Sequence, residues 1–170
     1  MSTFGAAFGE AFRLIGALEP KLLEIVWLSL RVSLSAVLIS TVIALPFGAA
    51  LAVARFPGRE ALVVVVNALL GLPAVVVGLA IYLLLSRAGP LGAFGILFTP
   101  AAMVVAQAVL IFPLIAALAR QAVADAWREY AEQMRSLGAG PVASSFALLH
   151  DLRFSLVTIV LAAFGRAIAE

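Results

Sequence analysis

The chain has 170 residues, of which 65% are hydrophobic and 12% charged, with a formal net charge of +2 and a mean hydropathy of +1.19. Soluble proteins carry about a quarter charged residues, and a soluble fold this small cannot keep so much apolar surface from water. The composition therefore predicts an all-α integral membrane protein, a polytopic bundle of transmembrane helices. No basic patch interleaved with aromatics occurs, which argues against a nucleic-acid partner. The absence of cysteine excludes disulfides, iron–sulfur clusters and thiolate zinc sites.

Residues 1–24 are too polar to span a bilayer. Phe4, Phe8, Phe12 and Ile15 recur at helical spacing opposite Glu10 and Arg13, which suits a short helix in the membrane interface. A signal peptide is the competing interpretation, but the stretch lacks an early basic region and a clean apolar one. The first span is expected over residues 25–54, with Arg31 snorkelling near its start. Ser33, Ser35, Ser40, Thr41, Gly48 and several alanines make one side of it small, which favours close helix packing in lipid. Pro46 is expected to kink it.

A short basic turn over residues 55–60 leads to a second span over residues 61–86. Gly71-Leu72-Pro73 interrupts that span, predicting a kinked or broken helix, and Asn67 is its only strongly polar residue. A glycine-rich loop, RAGPLGAFGILF, precedes a third span over residues 99–119 that carries Gln107 and Pro113. A fourth span, residues 154–170, ends the chain. It is shorter than a complete crossing, and a helix ending inside the bilayer would leave carbonyls unpaired, so the expectation is a truncated span with more chain to follow.

Residues 120–153 form the only long polar segment. Val123, Ala126, Trp127, Tyr130, Ala131, Met134 and Leu137 share one helical face, with Asp125, Arg128, Glu129, Glu132, Gln133, Arg135 and Ser136 opposite. Gly138 supplies a left-handed stop, and Gly140-Pro141 opens a second helix whose apolar stripe is Val142, Phe146 and Leu149. Helix, glycine hinge and helix between two spans suggest a docking element; an amphipathic helix lying on the membrane surface is the plain alternative. Placing this segment and the 55–60 turn on one side collects six arginines there, against four basic residues on the other. The positive-inside bias then puts both in the cytoplasm and the N-terminus outside.

Enzyme chemistry finds little support. No Walker A pattern occurs, so the chain has no ATP cradle of its own, and His150 has no companion for a zinc site or triad. Neither a catalytic nor a metal-binding set can be assembled. Arg166 lies within a span, where arginine is costly, and Glu170 follows one turn later. It serves either as a structural or snorkelling group, or as a positive group lining an anion path. Asn67 and Gln107 are interhelical hydrogen-bond partners or, less simply, members of the same path.

The residues also carry a family resemblance. Glu132-Gln133-Met134-Arg135-Ser136-Leu137-Gly138 resembles the EAA loop of bacterial ABC-importer permeases, with Gln133 and Met134 in place of the usual alanines and no Ile-x-Leu-Pro ending. Gly71-Leu72-Pro73-Ala74-Val75-Val76-Val77-Gly78-Leu79, Leu84-Leu85-Ser86-Arg87-Ala88-Gly89-Pro90-Leu91-Gly92 and Phe164-Gly165-Arg166-Ala167-Ile168-Ala169-Glu170 resemble the permease of tungstate ABC importers. That group is close to the molybdate and sulfate permeases. The resemblance implies a type I ABC-importer permease domain over residues 25–170 in the bacterial inner membrane. Tyr130, Ala131, Glu132, Arg135, Leu137, Gly138 and Ala139 would dock on an ATPase subunit. It further implies a second permease copy, an extracytoplasmic binding protein, and no cofactor on this chain, with ATP and magnesium held by the ATPase. Bending at Pro46, Pro73 and Pro113 would accompany alternating access. A permease for another substrate, such as molybdate, sulfate or an amino acid, and a non-transport membrane scaffold remain the alternatives.

Overall fold

The computed structural model describes residues 20–170, and the N-terminal helix expected around Phe4, Phe8 and Phe12 falls outside them. Six α-helices follow: α1 Pro20–Val53, α2 Arg59–Leu69, α3 Ala74–Leu85, α4 Pro100–Ser136, α5 Pro141–Asp151 and α6 Arg153–Ala169. A single 3-10 turn, Gly92–Phe94, lies between α3 and α4. Helices α1 and α4 are each long and apolar enough to cross a membrane. The pairs α2–α3 and α5–α6 meet the same test only together, bent by 107° and 77° respectively.

The bundle is built on the seam between α1 and α4. Ser40 Oγ donates to the Ala108 carbonyl at 2.9 Å, and eight residues further along α1 the backbone of Gly48 meets Ala116, Ala119 and Arg120. Matching positions advance together, so α1 and α4 run parallel, and the intervening α2–α3 segment must return the chain to its starting end. The small face foreseen on the first span makes this seam: Ser33, Ala36, Ser40, Ala44, Gly48, Ala49 and Ala52 are buried. Leu38, Ile39, Val42 and Ile43 point outward. In lipid the outward face gains nothing by hiding, so packing selects small residues that let backbones approach. Gly48 is the tightest point, since a Cβ there would lie 2.5 Å from the Ala116 carbonyl oxygen.

Helix α6 runs antiparallel to both, with Ala163 and Ala167 buried in the main core beside Ile111 and Ile115. Gln107 reaches the Ala167 carbonyl at 3.4 Å, which puts the end of α6 level with the first turns of α4. At the opposite, polar end a second core joins Ala49, Ala52 and Val53 of α1 to Val123 of α4 and Leu148 of α5.

The structure adds three things to the sequence expectations. The third span and the helix that follows it are continuous, since α4 runs as one helix from Pro100 through Ser136. Nothing from residue 114 to 136 is glycine or proline, so no residue there favours a break, and span and first docking helix are one rod. Pro46 and Pro113 both lie inside continuous helices. A proline in a packed membrane helix removes one hydrogen bond without ending the helix when neighbours hold it. Pro73 alone divides a span: it is extended at ψ 137° and caps α3. Finally, residues 20–24 belong to α1 instead of the polar leader.

Turn chemistry explains the ends. Gly58, at φ 88°, starts α2, and Arg59 Nε donates to the Leu51 carbonyl at 2.7 Å, tying the basic turn to the frayed end of α1. In the glycine-rich loop, Gly89 and Gly92 pass so near the Leu83, Leu84 and Ser86 carbonyls that no side chain fits. Replacing Gly48 by leucine is expected to destabilise the bundle by about 1–3 kcal/mol through overpacking of the seam. Thermal unfolding of the purified chain in detergent checks this, with Gly78→Leu, where a Cβ meets nothing within 4 Å, as the neutral comparison.

Candidate functional site

Two regions hold the polar residues singled out by sequence. The first is the polar end. Helix α4 closes there with a Schellman motif: Ala139 N–H donates to the Met134 carbonyl at 3.0 Å and Gly138 N–H to the Arg135 carbonyl at 3.0 Å. Gly138 adopts φ 71°, the left-handed conformation a side chain resists. Pro141 then starts α5 at its first turn.

On α4, Val123 is buried, while Ala126, Trp127, Tyr130, Ala131 and Met134 are half-buried. Asp125, Arg128, Glu129, Glu132, Gln133, Arg135 and Ser136 are exposed, as the periodicity requires. Leu137 departs from its face and stands 75% exposed, because the chain turns at the Schellman stop before it can pack. Helix α5 is oriented differently from its predicted stripe. Ser144, Ser145 and Leu148 face inward, Leu149 is half-buried, and Val142 and Phe146 are 71% and 63% exposed. Small serines allow α5 to lie close against α1; Ser145 satisfies its hydroxyl on the Pro141 carbonyl at 2.8 Å. Leu137, Val142 and Phe146 thus stand as an exposed apolar set around a rigid glycine hinge.

Two cavities open on this element. One of about 450 Å³ lies between α4 and α5, lined by Tyr130, Met134, Ala147, Leu148, His150 and Asp151. The other, about 350 Å³, lies between Val53, Arg55, Trp127, Arg135, Ala139 and Pro141. Sequence reasoning placed Trp127 on the packed face and Arg55 in a basic turn, with no signal that the fold would join them.

The second region surrounds Gln107. Its amide donates weakly to the Ala167 carbonyl, while its buried Oε1 finds no partner. Gln107 lines two cavities, one of about 350 Å³ with Ser29, Ser33 and Met103, the other of about 380 Å³ with Ala74, Gly78 and Leu110. Glu170 lines both. The structure does not bring Asn67, Gln107 and Arg166 together. Asn67 is exposed on α2, and Arg166 is half-buried on α6 without lining either cavity. Nor does Arg166 pair with Glu170: among the described residues the ion pairs are Arg59–Glu60 and Arg128–Asp125. Ser29, Ser33 and Met103, which sequence reading left out of the path, are the residues that share a cavity with Gln107.

Long parallel apolar helices, two bent helix pairs and a polar helical end define a polytopic helical membrane protein. No protein-family model matches the chain. It is 38% identical over 151 residues, 88% of its length, to a probable anion ABC transporter permease protein of Haloferax volcanii. It is 32% identical over all 170 residues to the tungstate uptake system permease protein TupB of Peptoclostridium acidaminophilum. It is also 33% identical over 116 residues, 68% of its length, to the protein of the same name from Campylobacter jejuni. The chain spans 64%, 75% and 48% of these relatives, in that order. It belongs to this family of anion ABC transporter permeases and is an integral membrane protein.

The positive φ of Gly138 gives a direct test of the hinge. Gly138→Ala is expected to cost about 1 kcal/mol locally. Hydrogen exchange at the Gly138 and Ala139 amides should accelerate while the core amides of α1 and α4 hold their rates.

Proposed function

We propose that this chain is the membrane-spanning permease subunit of an ABC importer that carries an oxyanion, tungstate foremost, into the cytoplasm. ATP is hydrolysed on separate subunits, and an extracytoplasmic binding protein delivers the anion to a pathway formed by two permease copies. The observation that carries this reading is the exposed apolar set Leu137, Val142 and Phe146 around the Schellman hinge, set on a helix continuous with a membrane span. Leu137 closes the 37-residue helix that includes the span, and the next helix, which carries Val142 and Phe146, is packed on α1 and α4 through Leu148 and Leu149, so displacement of the span reaches the whole set. The names of the relatives favour anions in general and tungstate in particular.

The polar end faces the cytoplasm in this scheme, in agreement with the arginine bias, and the start of α1 faces outside. Tyr130, Ala131, Glu132, Arg135, Leu137, Gly138 and Ala139 belong to the coupling region. Gln107 is the strongest of the three path candidates, since it borders two open cavities and keeps a buried oxygen without a partner. Such an atom is costly unless a ligand or water meets it during the cycle. Arg166, one residue from the Gln107 contact, supplies positive charge near the same level.

Two measurements test the scheme. Leu137→Asp combined with Phe146→Asp is expected to abolish co-purification with the cognate ATPase while leaving membrane insertion intact. Retention of the ATPase by this double variant removes the docking assignment. Gln107→Leu is expected to change thermal stability little, because it removes both the weak bond to the Ala167 carbonyl and a buried oxygen without a partner, yet to lower oxyanion uptake at least about tenfold. Unchanged uptake removes Gln107 from the path.

A further inference from the structure

We propose that the cavity between Arg55, Trp127 and Arg135 is a binding site for the phosphate headgroup of an anionic phospholipid. Arg55 follows the end of α1, and Arg135 lies in the last turn of α4. The fold brings these two arginines to one cavity of about 350 Å³. Neither has a carboxylate within ion-pair distance among the described residues, where the pairs formed are Arg59–Glu60 and Arg128–Asp125. Like charges brought to one cavity repel, and an anion between them converts that repulsion into two attractive contacts. Arg135 Cζ sits 5.8 Å from the Trp127 ring centroid, and this cation–π contact keeps the guanidinium beside the cavity.

The remaining walls select a lipid over a free anion. Val53, Trp127 and Pro141 are apolar, and Phe56, the next residue after Arg55, is 42% exposed. A hydrated inorganic anion makes no use of such walls, whereas the glycerol and upper acyl carbons of a phospholipid do. The cavity lies where α1, one of the two helices long and apolar enough to cross a membrane, ends, and basic pockets between helices at the cytoplasmic side of a membrane suit acidic headgroups. It borders the coupling region through Arg135 and Ala139, while the exposed apolar residues Leu137, Val142 and Phe146 do not line it. A bound lipid would bridge the end of α1 to the hinge at Ala139 and Pro141, stiffening the polar end. The site requires only that the helices cross a membrane, and a failed transport assay leaves it untouched.

Trp127 provides the readout. The chain has two tryptophans, and Trp27, at the other end of α1 and 68% exposed, can be replaced by phenylalanine. The full chain carrying Trp27→Phe, in a neutral detergent, is titrated with dioctanoyl phosphatidylglycerol, dioctanoyl phosphatidylcholine and inorganic phosphate. Expected is a saturable change in tryptophan emission with phosphatidylglycerol alone. Arg55→Gln or Arg135→Gln should weaken it about fivefold each, and the pair about 30-fold. Arg128→Gln, which removes a neighbouring exposed arginine, should leave it unchanged, and circular dichroism confirms that each variant is folded. Unaltered affinity in the folded double variant overturns the site. An equal response to inorganic phosphate overturns the lipid assignment in favour of a free anion, and an equal response to phosphatidylcholine overturns the role of charge.

Discussion

Everything in this molecule hangs on how closely α1 and α4 approach. Their parallel seam is closed by alanines, by the Ser40 hydroxyl on the Ala108 carbonyl, and by Gly48 lying against the backbone of α4. Apolar side chains gain little from mutual burial when the alternative neighbour is an acyl chain, so van der Waals fit and interhelical hydrogen bonds must hold the bundle. That constraint explains why leucines, isoleucines and valines face outward along α1 while serine and glycine face inward. It also sets the topology: two parallel spans demand that the chain between them return, and the break at Pro73 shapes that return.

The same seam connects the apolar bundle to the polar end. α4 passes from its contact with Gly48 to the Schellman stop at Gly138 without a break, and α5, which carries Val142 and Phe146, begins just beyond it. Helix α5 is clamped against α1 by Ser144, Ser145 and Leu148, so the hinge is held from both sides. Under the import mechanism proposed, this is how closure of an ATPase pair would reach the region around Gln107, which lies three turns from the Gly48 crossing along the same helix. A lipid at Arg55 and Arg135 would tighten the clamp from the membrane side.

Much of the fold was legible in the sequence. Long apolar runs, the small face on α1, the break at Pro73, the glycine stop at residue 138 and the proline start of α5 all follow from local chemistry. What escaped was context. Arg120 reads as the edge of a span, yet α4 continues, because a polar residue leaving the bilayer gives the backbone no reason to stop. Pro46 and Pro113 lie within unbroken helices, whereas Pro73 divides its span. The stripe of α5 was assigned by hydrophobicity, whereas α1 accepted its serine face. For the candidate site, the periodic face of α4 was readable, while the joining of Arg55 to Arg135 and of Gln107 to Ser33 depends on which helices pack together. No local pattern encodes that.

The central claim is that the docking end couples a nucleotide-driven partner to an anion path. The most direct measurement is tungstate uptake into vesicles reconstituted with the full-length permease, its ATPase and its binding protein, comparing the native chain with Gly138→Trp. The account predicts uptake that requires both ATP and the binding protein, and a variant that inserts and retains its helices but hydrolyses ATP without transport. Uptake that proceeds without nucleotide, or that is unchanged in Gly138→Trp, would contradict it.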